Sequence, residues 1–328
     1  MMKRREFITL LGGAATGWPL AARAQQPLPR VVYVPGALEN EPEQPARQAA
    51  FRTALEKLGW TDGRNVIVNY RWGRIEPERL RAVAAELVGL MPSVIVEGGS
   101  DIAQALKRET SAIPIVFVTV SDPLNSGLVA NMARPGGNLT GFANYTFSIG
   151  GKWVQMLKEV APGVKQLLVI LSPGNPGTEG ILHTVETAAS LLGVRPVPAR
   201  ASNAQEIEKA IDDFAPEPDG GLLALPGAPS RDHSDLMISL AARYRLPAMY
   251  TYRFSAENGG LMSYNADNIA QYRDAASYVD RILRGEKPGN LPVQLPTKYD
   301  LVINLKTART LGLSAPLSLL ASADEVIE

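Results

Sequence analysis

Short apolar runs alternate along the chain with longer segments in which apolar residues recur at helical spacing. In the first half, the runs are Val31–Val34, Val66–Tyr70, Ser93–Val96 and Ile113–Val118, and the periodic segments are 44–58, 77–88 and 102–107. Continuous apolar runs are typical of parallel strands buried on both faces. A period of about 3.6 residues predicts helices with one buried face. The first half is therefore predicted to be a doubly wound α/β lobe.

The same alternation resumes after residue 145. The predicted strands are 166–171, 194–197, 221–225, 247–250, 260–264 and 299–303, and the main helices are 152–160, 204–214, 234–243, 269–283 and 305–311. We therefore expect a second doubly wound, Rossmann-like lobe. The stretch from Thr119 to Tyr145 lies between the two halves, and open parallel sheets bind small ligands at such a seam.

Candidate ligand-binding residues follow the predicted strands, because the carboxyl ends of parallel strands meet at one edge of a sheet. They are Gly99, Ser100, Ser121, Asp122, Asn144 and Tyr145 in the first half, and Asn175, Pro226, Tyr250 and Tyr264 in the second. Hydroxyls, amides, rings and one carboxylate suit a small zwitterion. Backbone N–H groups would bind its carboxylate, Asp122 its ammonium and the tyrosines its side chain. Each residue also has a structural interpretation: Ser100 as a helix cap, Asp122 as a turn brace and the tyrosines as packing.

Composition narrows the class of protein further. The chain has 328 residues, 45% of them hydrophobic, and its 33 Lys and Arg balance 33 Asp and Glu, which argues against a nucleic-acid surface. It has no cysteine, so disulfides, thiolate metal sites and a lipid-anchored cysteine are excluded. We expect no metal, no cofactor and no catalytic residue. An exported hydrolase using Ser100 would require His183 or His233 beside it in the cleft.

The N-terminus carries the pattern of an export signal. Lys3-Arg4-Arg5 precedes a short apolar run, and Ala22-Arg23-Ala24 supplies the small residues of a cleavage site. The adjacent arginines are similar to a twin-arginine signal, and a general secretory signal is the alternative. We therefore expect cleavage after Ala24 and a periplasmic protein, monomeric by default.

Four further motifs carry a resemblance over nearly the whole chain. They are the N-terminal segment 3–25, Ser121-Asp122-Pro123 with Gly127-Leu128-Val129, the run Arg134-Pro135-Gly136-Gly137-Asn138-Leu139-Thr140-Gly141, and the segment 296–308. With them, the chain resembles the ABC-transporter substrate-binding protein family that includes TrpX-type tryptophan- and tyrosine-binding proteins.

The resemblance implies a periplasmic binding protein of type I, with two Rossmann-like lobes, three crossing segments and ligand capture by hinge closure. It implies an N-terminal lobe of residues 25–143 plus 265–290 and a C-terminal lobe of 144–264 plus 291–328. The crossings would lie near Gly141–Phe147, near Met262–Asn265 and within Gly285–Pro296. The implied partners are a small-molecule ligand, an aromatic or branched amino acid or related zwitterion, and the permease and ATPase of an importer. A ligand sensor for a membrane receptor is the alternative.

Overall fold

The structure, a computed structural model, describes residues 27–36, 39, 41–72, 75 and 77–328. The predicted export segment 1–24 lies outside the described residues. Within the described part of the chain, no helix is both long and apolar enough to cross a membrane.

The first sheet is parallel and has five strands. They are β1 (Arg30–Val34), β2 (Ile67–Tyr70), β3 (Val94–Gly98), β4 (Ile115–Ser121) and β5 (Leu139–Tyr145), in the order β2-β1-β3-β4-β5. Its helices are α1 (Gln44–Lys57), α2 (Leu80–Gly89, after a 3-10 turn at Pro77–Arg79), α3 (Ser100–Glu109) and, from later in the chain, α10 (Asn268–Leu283). The apolar residues of α1 and α10 pack on one face, and those of α2 and α3 pack on the other.

The second sheet has seven strands. They are β6 (Gln166–Leu171), β7 (Arg195–Arg200), β8 (Gly220–Ala224), β9 (Ala248–Tyr250), β10 (Met262–Ala266), β11 (Tyr299–Asn304) and β12 (Glu325–Ile327), in the order β12-β11-β10-β9-β8-β6-β7. The remaining helices are α4 (Ile149–Val160), α5 (Pro176–Leu191), α6 (Ala204–Phe214), α7 (Ala228–Asp232), α8 (Ser234–Arg243), α9 (Arg253–Glu257), α11 (Leu305–Leu311) and α12 (Leu317–Ser322). Only β11 runs antiparallel to its neighbour β10 among the described pairings. The predicted fold class of two doubly wound lobes is confirmed.

The segment 139–145, expected to belong to the seam between lobes, is instead a strand with every residue buried. Gly141 allows it to lie against β4. Its φ is +151°, and a Cβ placed there would be 2.0 Å from the carbonyl oxygen of Phe117. This part of the expected seam is therefore the edge strand of the first sheet, and the chain leaves that sheet after Tyr145.

The second crossing lies just beyond the position that the resemblance implied, and the third lies at the end of the implied range. Met262–Ala266 is a strand of the second sheet, so the second crossing lies between Ala266 and Asn268. The N–H of Val293 donates to Met132 (2.7 Å) and that of Gln294 donates to Gly141 (2.9 Å), so residues 291–294 belong with the first sheet. We therefore place the third crossing after Gln294, at the end of the implied range Gly285–Pro296, and the C-terminal lobe resumes after residue 294 instead of at residue 291.

Candidate functional site

A cavity of about 120 Å³ lies between the two lobes, where the carboxyl ends of both sheets face each other. Its lining includes seven of the predicted site residues: Gly99, Ser100, Ser121, Asn144, Tyr145, Asn175 and Pro226. The strand order of the first sheet reverses between β1 and β3, and this is the point at which doubly wound folds bind ligands.

The wall contributed by the first lobe is built from the end of β4 and the start of α3. Gly99, with φ +115°, makes the turn from β3 into α3. The N–H of Ser121 donates to the hydroxyl of Ser100 at 3.2 Å, and the Ser121 hydroxyl lies 3.4 Å from the side-chain oxygen of Asn144. The first turn of α3 has no side-chain cap, so its backbone N–H groups are available to an anion.

The wall contributed by the second lobe is the start of α5. Asn175 caps this helix, because its side-chain oxygen accepts hydrogen bonds from the N–H groups of Gly177 (2.8 Å) and Thr178 (3.2 Å). A Cβ placed on Gly177 would lie 3.1 Å from the Cβ of Ser121 and 3.2 Å from the Ser100 hydroxyl. The two lobes are therefore in contact at this side of the cavity.

The lining residues outside the predicted set include Arg47, Arg231, Tyr252, Asn268 and Tyr272. The Arg47 guanidinium pairs with Glu43 and lies 6.0 Å from the centre of the Tyr272 ring. Burial raises the pKa of Tyr272 to about 12, so its phenol is neutral.

Arg231 joins the two lobes. It lies on α7, and it donates a hydrogen bond to the carbonyl of Gly36 at 3.0 Å. Its Nε lies 3.1 Å from Glu41 and 3.2 Å from Asp232. Burial opposes the charge of Arg231, but Tyr252, Glu41 and Asp232 outweigh burial and raise its pKa. Arg231 therefore stays charged within this part of the interface.

The two ends of the cavity differ in their lining. Arg47 and Tyr272 belong to α1 and α10, on one face of the first sheet. Ile75, Leu80 and Ile102 pack with α2 and α3 on the opposite face. A ligand spanning the sheet edge would therefore meet Arg47 and Tyr272 at one end, and aliphatic side chains together with Asp101 at the other.

Comparison with known proteins identifies the family. Residues 39–327 match the model described as ABC transporter substrate binding protein. This chain belongs to that family.

Individual relatives agree with this assignment. A tyrosine-binding protein from Clostridioides difficile (strain R20291) is 24% identical over 277 residues, which is 84% of this chain and 79% of that protein. A conserved domain protein from Vibrio cholerae has a TM-score of 0.83 at 29% identity, over 91% of this chain and 99% of that one. An ABC domain from Streptococcus pneumonia in complex with L-Trp has a TM-score of 0.83 at 20% identity, over 92% of this chain and all of that one.

Asp122, a predicted ammonium partner, does not line the cavity of this substrate-binding protein. Its carboxylate accepts hydrogen bonds from the N–H of Asn125 (3.1 Å), from the Asn125 side chain (2.9 Å) and from the N–H of Phe147 (3.0 Å). Both acceptor oxygens are thus used by the protein itself. The structural alternative, a brace for the turn, describes this geometry.

Tyr250 and Tyr264 also lie away from the cavity. Tyr250 is 1% exposed in the core of the second lobe, where burial raises its pKa. Tyr264 stacks on Tyr299 with ring centres 5.4 Å apart. Of the predicted tyrosines only Tyr145 lines the cavity, and its hydroxyl donates to Asn265 across the lobes at 2.6 Å.

The histidines lie apart from the serines of the site. Neither His183, in α5, nor His233, between α7 and α8, lines the cavity beside Ser100 and Ser121. The arrangement that would have favoured a hydrolase is therefore not found among the described residues. Those residues also hold no cluster of three or more side chains fit to bind a metal.

Proposed function

We propose that this protein captures an aromatic amino acid between its lobes and delivers it to the permease and ATPase of an ABC importer, after export to the periplasm. One observation carries the choice of an amino acid. Within the described structure, the buried Nε–H of Arg47 and the buried side-chain oxygen of Asn268 have no hydrogen-bond partner. Both residues line the cavity. A buried donor and a buried acceptor without partners cost free energy, and a zwitterion supplies both missing groups.

The ligand would lie with its charged groups at the end of the cavity lined by Arg47. Its carboxylate accepts from Arg47, and its ammonium donates to Asn268. Its ring would extend over the sheet edge toward Ile75, Leu80 and Ile102, where apolar area is removed from water. The tyrosine-binding relative and the L-Trp complex support an aromatic side chain over a branched one.

Capture by hinge closure fits the contacts between the lobes. Gly177 lies against Ser121, and Arg231 reaches the carbonyl of Gly36. The TM-score is 0.83 with the L-Trp complex but 0.64 with a ligand-free, open substrate-binding protein from Clostridium difficile of similar identity. Both comparisons support a closed arrangement here, which a bound ligand would favour over the open one.

Calorimetry with matched ligands tests the proposal. We expect L-tryptophan, L-tyrosine or L-phenylalanine to bind one to one. Tryptamine lacks the carboxylate and indole-3-propionate lacks the ammonium, so each should bind more weakly than L-tryptophan by about 2 kcal/mol or more, roughly thirtyfold. Equal affinity for the three indoles would reject the zwitterion pocket. Binding of sugars or nucleosides alone would support a solute receptor but reject an amino acid as its ligand.

The role of Arg47 has a matched control on the same helix. Arg47 pairs with Glu43, and the exposed Arg52 pairs with Glu56 at the same spacing. We expect Arg47→Met to weaken the binding of L-tryptophan by about 2–4 kcal/mol, because a buried charged hydrogen bond to the carboxylate is lost. Arg52→Met should leave the affinity unchanged. Similar affinities for Arg47→Met and wild type would assign Arg47 to folding alone.

A further inference from the structure

The end of β4 is an irregular segment beside the cavity. The pairing of β4 with β5 shifts register on both sides of Val120. Thr119 has φ +57° and Asp122 has φ +39°, in the left-handed region that a β-branched residue such as threonine rarely adopts. Thr119 and Ser121 both line the cavity. A strained backbone persists only where its surroundings hold it, so the groups that hold this segment matter to the site.

Gln271 holds the segment from the side of α10. Its side-chain oxygen accepts a hydrogen bond from the N–H of Thr119, and its amide nitrogen donates to the carbonyl of Ala143, each at 3.2 Å. The Gln271 amide therefore occupies the break in the ladder between β4 and β5. Since α10 begins directly after the second crossing, this bridge ties that crossing to the cavity wall.

Asp122 holds the same segment from the side of the first crossing. Its N–H donates to the carbonyl of Tyr145 at 2.9 Å, and its carboxylate accepts from the N–H of Phe147 at 3.0 Å. Residues 146–148 connect β5 to α4, so Phe147 lies in the first crossing. This segment of four residues is thus bonded to the first crossing and to the helix that follows the second.

We propose that Asp122 and Gln271 are positioning residues that couple the hinge to the cavity wall at Thr119–Ser121 and so set ligand affinity without contacting the ligand. The proposal rests on ligand capture between the lobes as proposed above. When the crossings rotate during closure, these bonds turn the strained segment with them. The cavity wall is thereby completed as the lobes close on the ligand.

Substitution of Asp122 separates a positioning role from a ligand contact. Asp122→Asn removes the charge but keeps an acceptor for the Phe147 N–H, while its amide nitrogen replaces the oxygen that accepts from the Asn125 N–H, and asparagine tolerates the left-handed conformation. We expect Asp122→Asn to bind L-tryptophan within about threefold of wild type and Asp122→Ala to bind it about tenfold more weakly. A loss of affinity for L-tryptophan in Asp122→Asn that indole-3-propionate, which has no ammonium, does not share would show that the charge of Asp122 contacts the ligand, which would overturn its positioning role.

Gln271 has a control in the second lobe. Asn304 is also a buried amide that bonds backbone on both sides, to Ala256 (3.0 Å) and Thr307 (3.1 Å), and it does not line the cavity. Gln271→Met and Asn304→Leu should lower the melting temperature by comparable amounts, because each removes two hydrogen bonds from a buried site. Only Gln271→Met should lower the affinity for L-tryptophan, by about tenfold. Unchanged affinity in folded Gln271→Met would reject the coupling.

A second measurement needs no ligand, so it remains decisive if L-tryptophan does not bind wild type and the proposed function fails. The chain contains no cysteine. Spin labels at Arg81→Cys and Lys209→Cys, whose side chains are 92% and 73% exposed, would therefore report the distance between lobes. We expect a broader distance distribution with Asp122→Ala or Gln271→Met than with wild type or Asn304→Leu. Identical distributions in all four proteins would overturn the proposal.

Discussion

At the scale of single residues, Glu97 is an ionisable group in an unusual position. It is fully buried on β3, and neither carboxyl oxygen has a hydrogen-bond partner among the described residues. Burial, with a smaller effect of Asp101, raises the pKa of Glu97 well above its ordinary value. The folded state therefore binds a proton that the unfolded state releases above about pH 4.3. Its contribution to stability is complete below that pH and is lost as the pH rises toward the folded pKa.

Replacement of Glu97 by glutamine should remove this dependence. We expect Glu97→Gln to be more stable than wild type at pH 7, with a difference that grows by about 1.4 kcal/mol per pH unit above pH 4.3 until the folded pKa is reached. Urea unfolding of both proteins from pH 4 to pH 8 measures this difference in stability. A difference that does not vary with pH would mean that Glu97 is ionised in the folded protein.

The sequence predicted polar residues at strand ends better than charged residues on helices. Ser100 and Asn175 follow recognisable strands, so topology alone located them. Arg47 was missed because a charge within an amphipathic helix is usually solvated. A signal was present, since Arg47, Phe51 and Leu55 are spaced four apart and share the buried face of α1. Asp122 could not be assigned from sequence, because its two interpretations differ only in where its carboxylate points.

At the scale of elements, the start of α5 offers a test with a natural control. Asn175 caps α5 beside the cavity, and Asn203 caps α6 through the N–H of Glu206 away from it. We expect Asn175→Ala and Asn203→Ala each to lower stability by about 1 kcal/mol, because each leaves a helix N–H without its cap. Only Asn175→Ala should also weaken ligand binding, as measured by calorimetry. Equal ligand affinity in the two variants would show that the cap of α5 does not contribute to ligand binding.

The sequence specified most strands and helices of both lobes, but not β5, β12, the short helices α7, α9 and α12, or the exact crossings. Strand β5 was missed because no helix separates it from β4 and because Gly141 resembles a turn residue. Here tertiary packing decides, since Gly141 is required by the close approach to Phe117. The crossings could not be located from sequence because they depend on which sheet each flanking strand joins, as Met262–Ala266 and residues 291–294 show.

At the scale of the whole molecule, Arg231 links the lobes and should stabilise closure. Its side chain is 14% exposed and that of Glu41 is 11% exposed, so salt screens this pair less than a surface pair. We expect Arg231→Ala to weaken L-tryptophan about tenfold or more and to enlarge the ligand-free protein, because the closed state loses an ion pair and the bond to Gly36. Arg231→Lys should restore only part of the affinity, since lysine lacks the second donor of the guanidinium fork.

The matched control for closure is Arg200, whose two hydrogen bonds to Glu179, each 2.8 Å, remain within the second lobe. Arg200→Ala removes an ion pair that is half exposed, so it should change neither ligand affinity nor the radius of gyration. Small-angle scattering and calorimetry at low and high salt compare the two variants with wild type. If Arg231→Ala kept both the radius and the affinity of wild type, the bond between lobes would be incidental to closure, and the ligand itself would have to supply the free energy that holds them together.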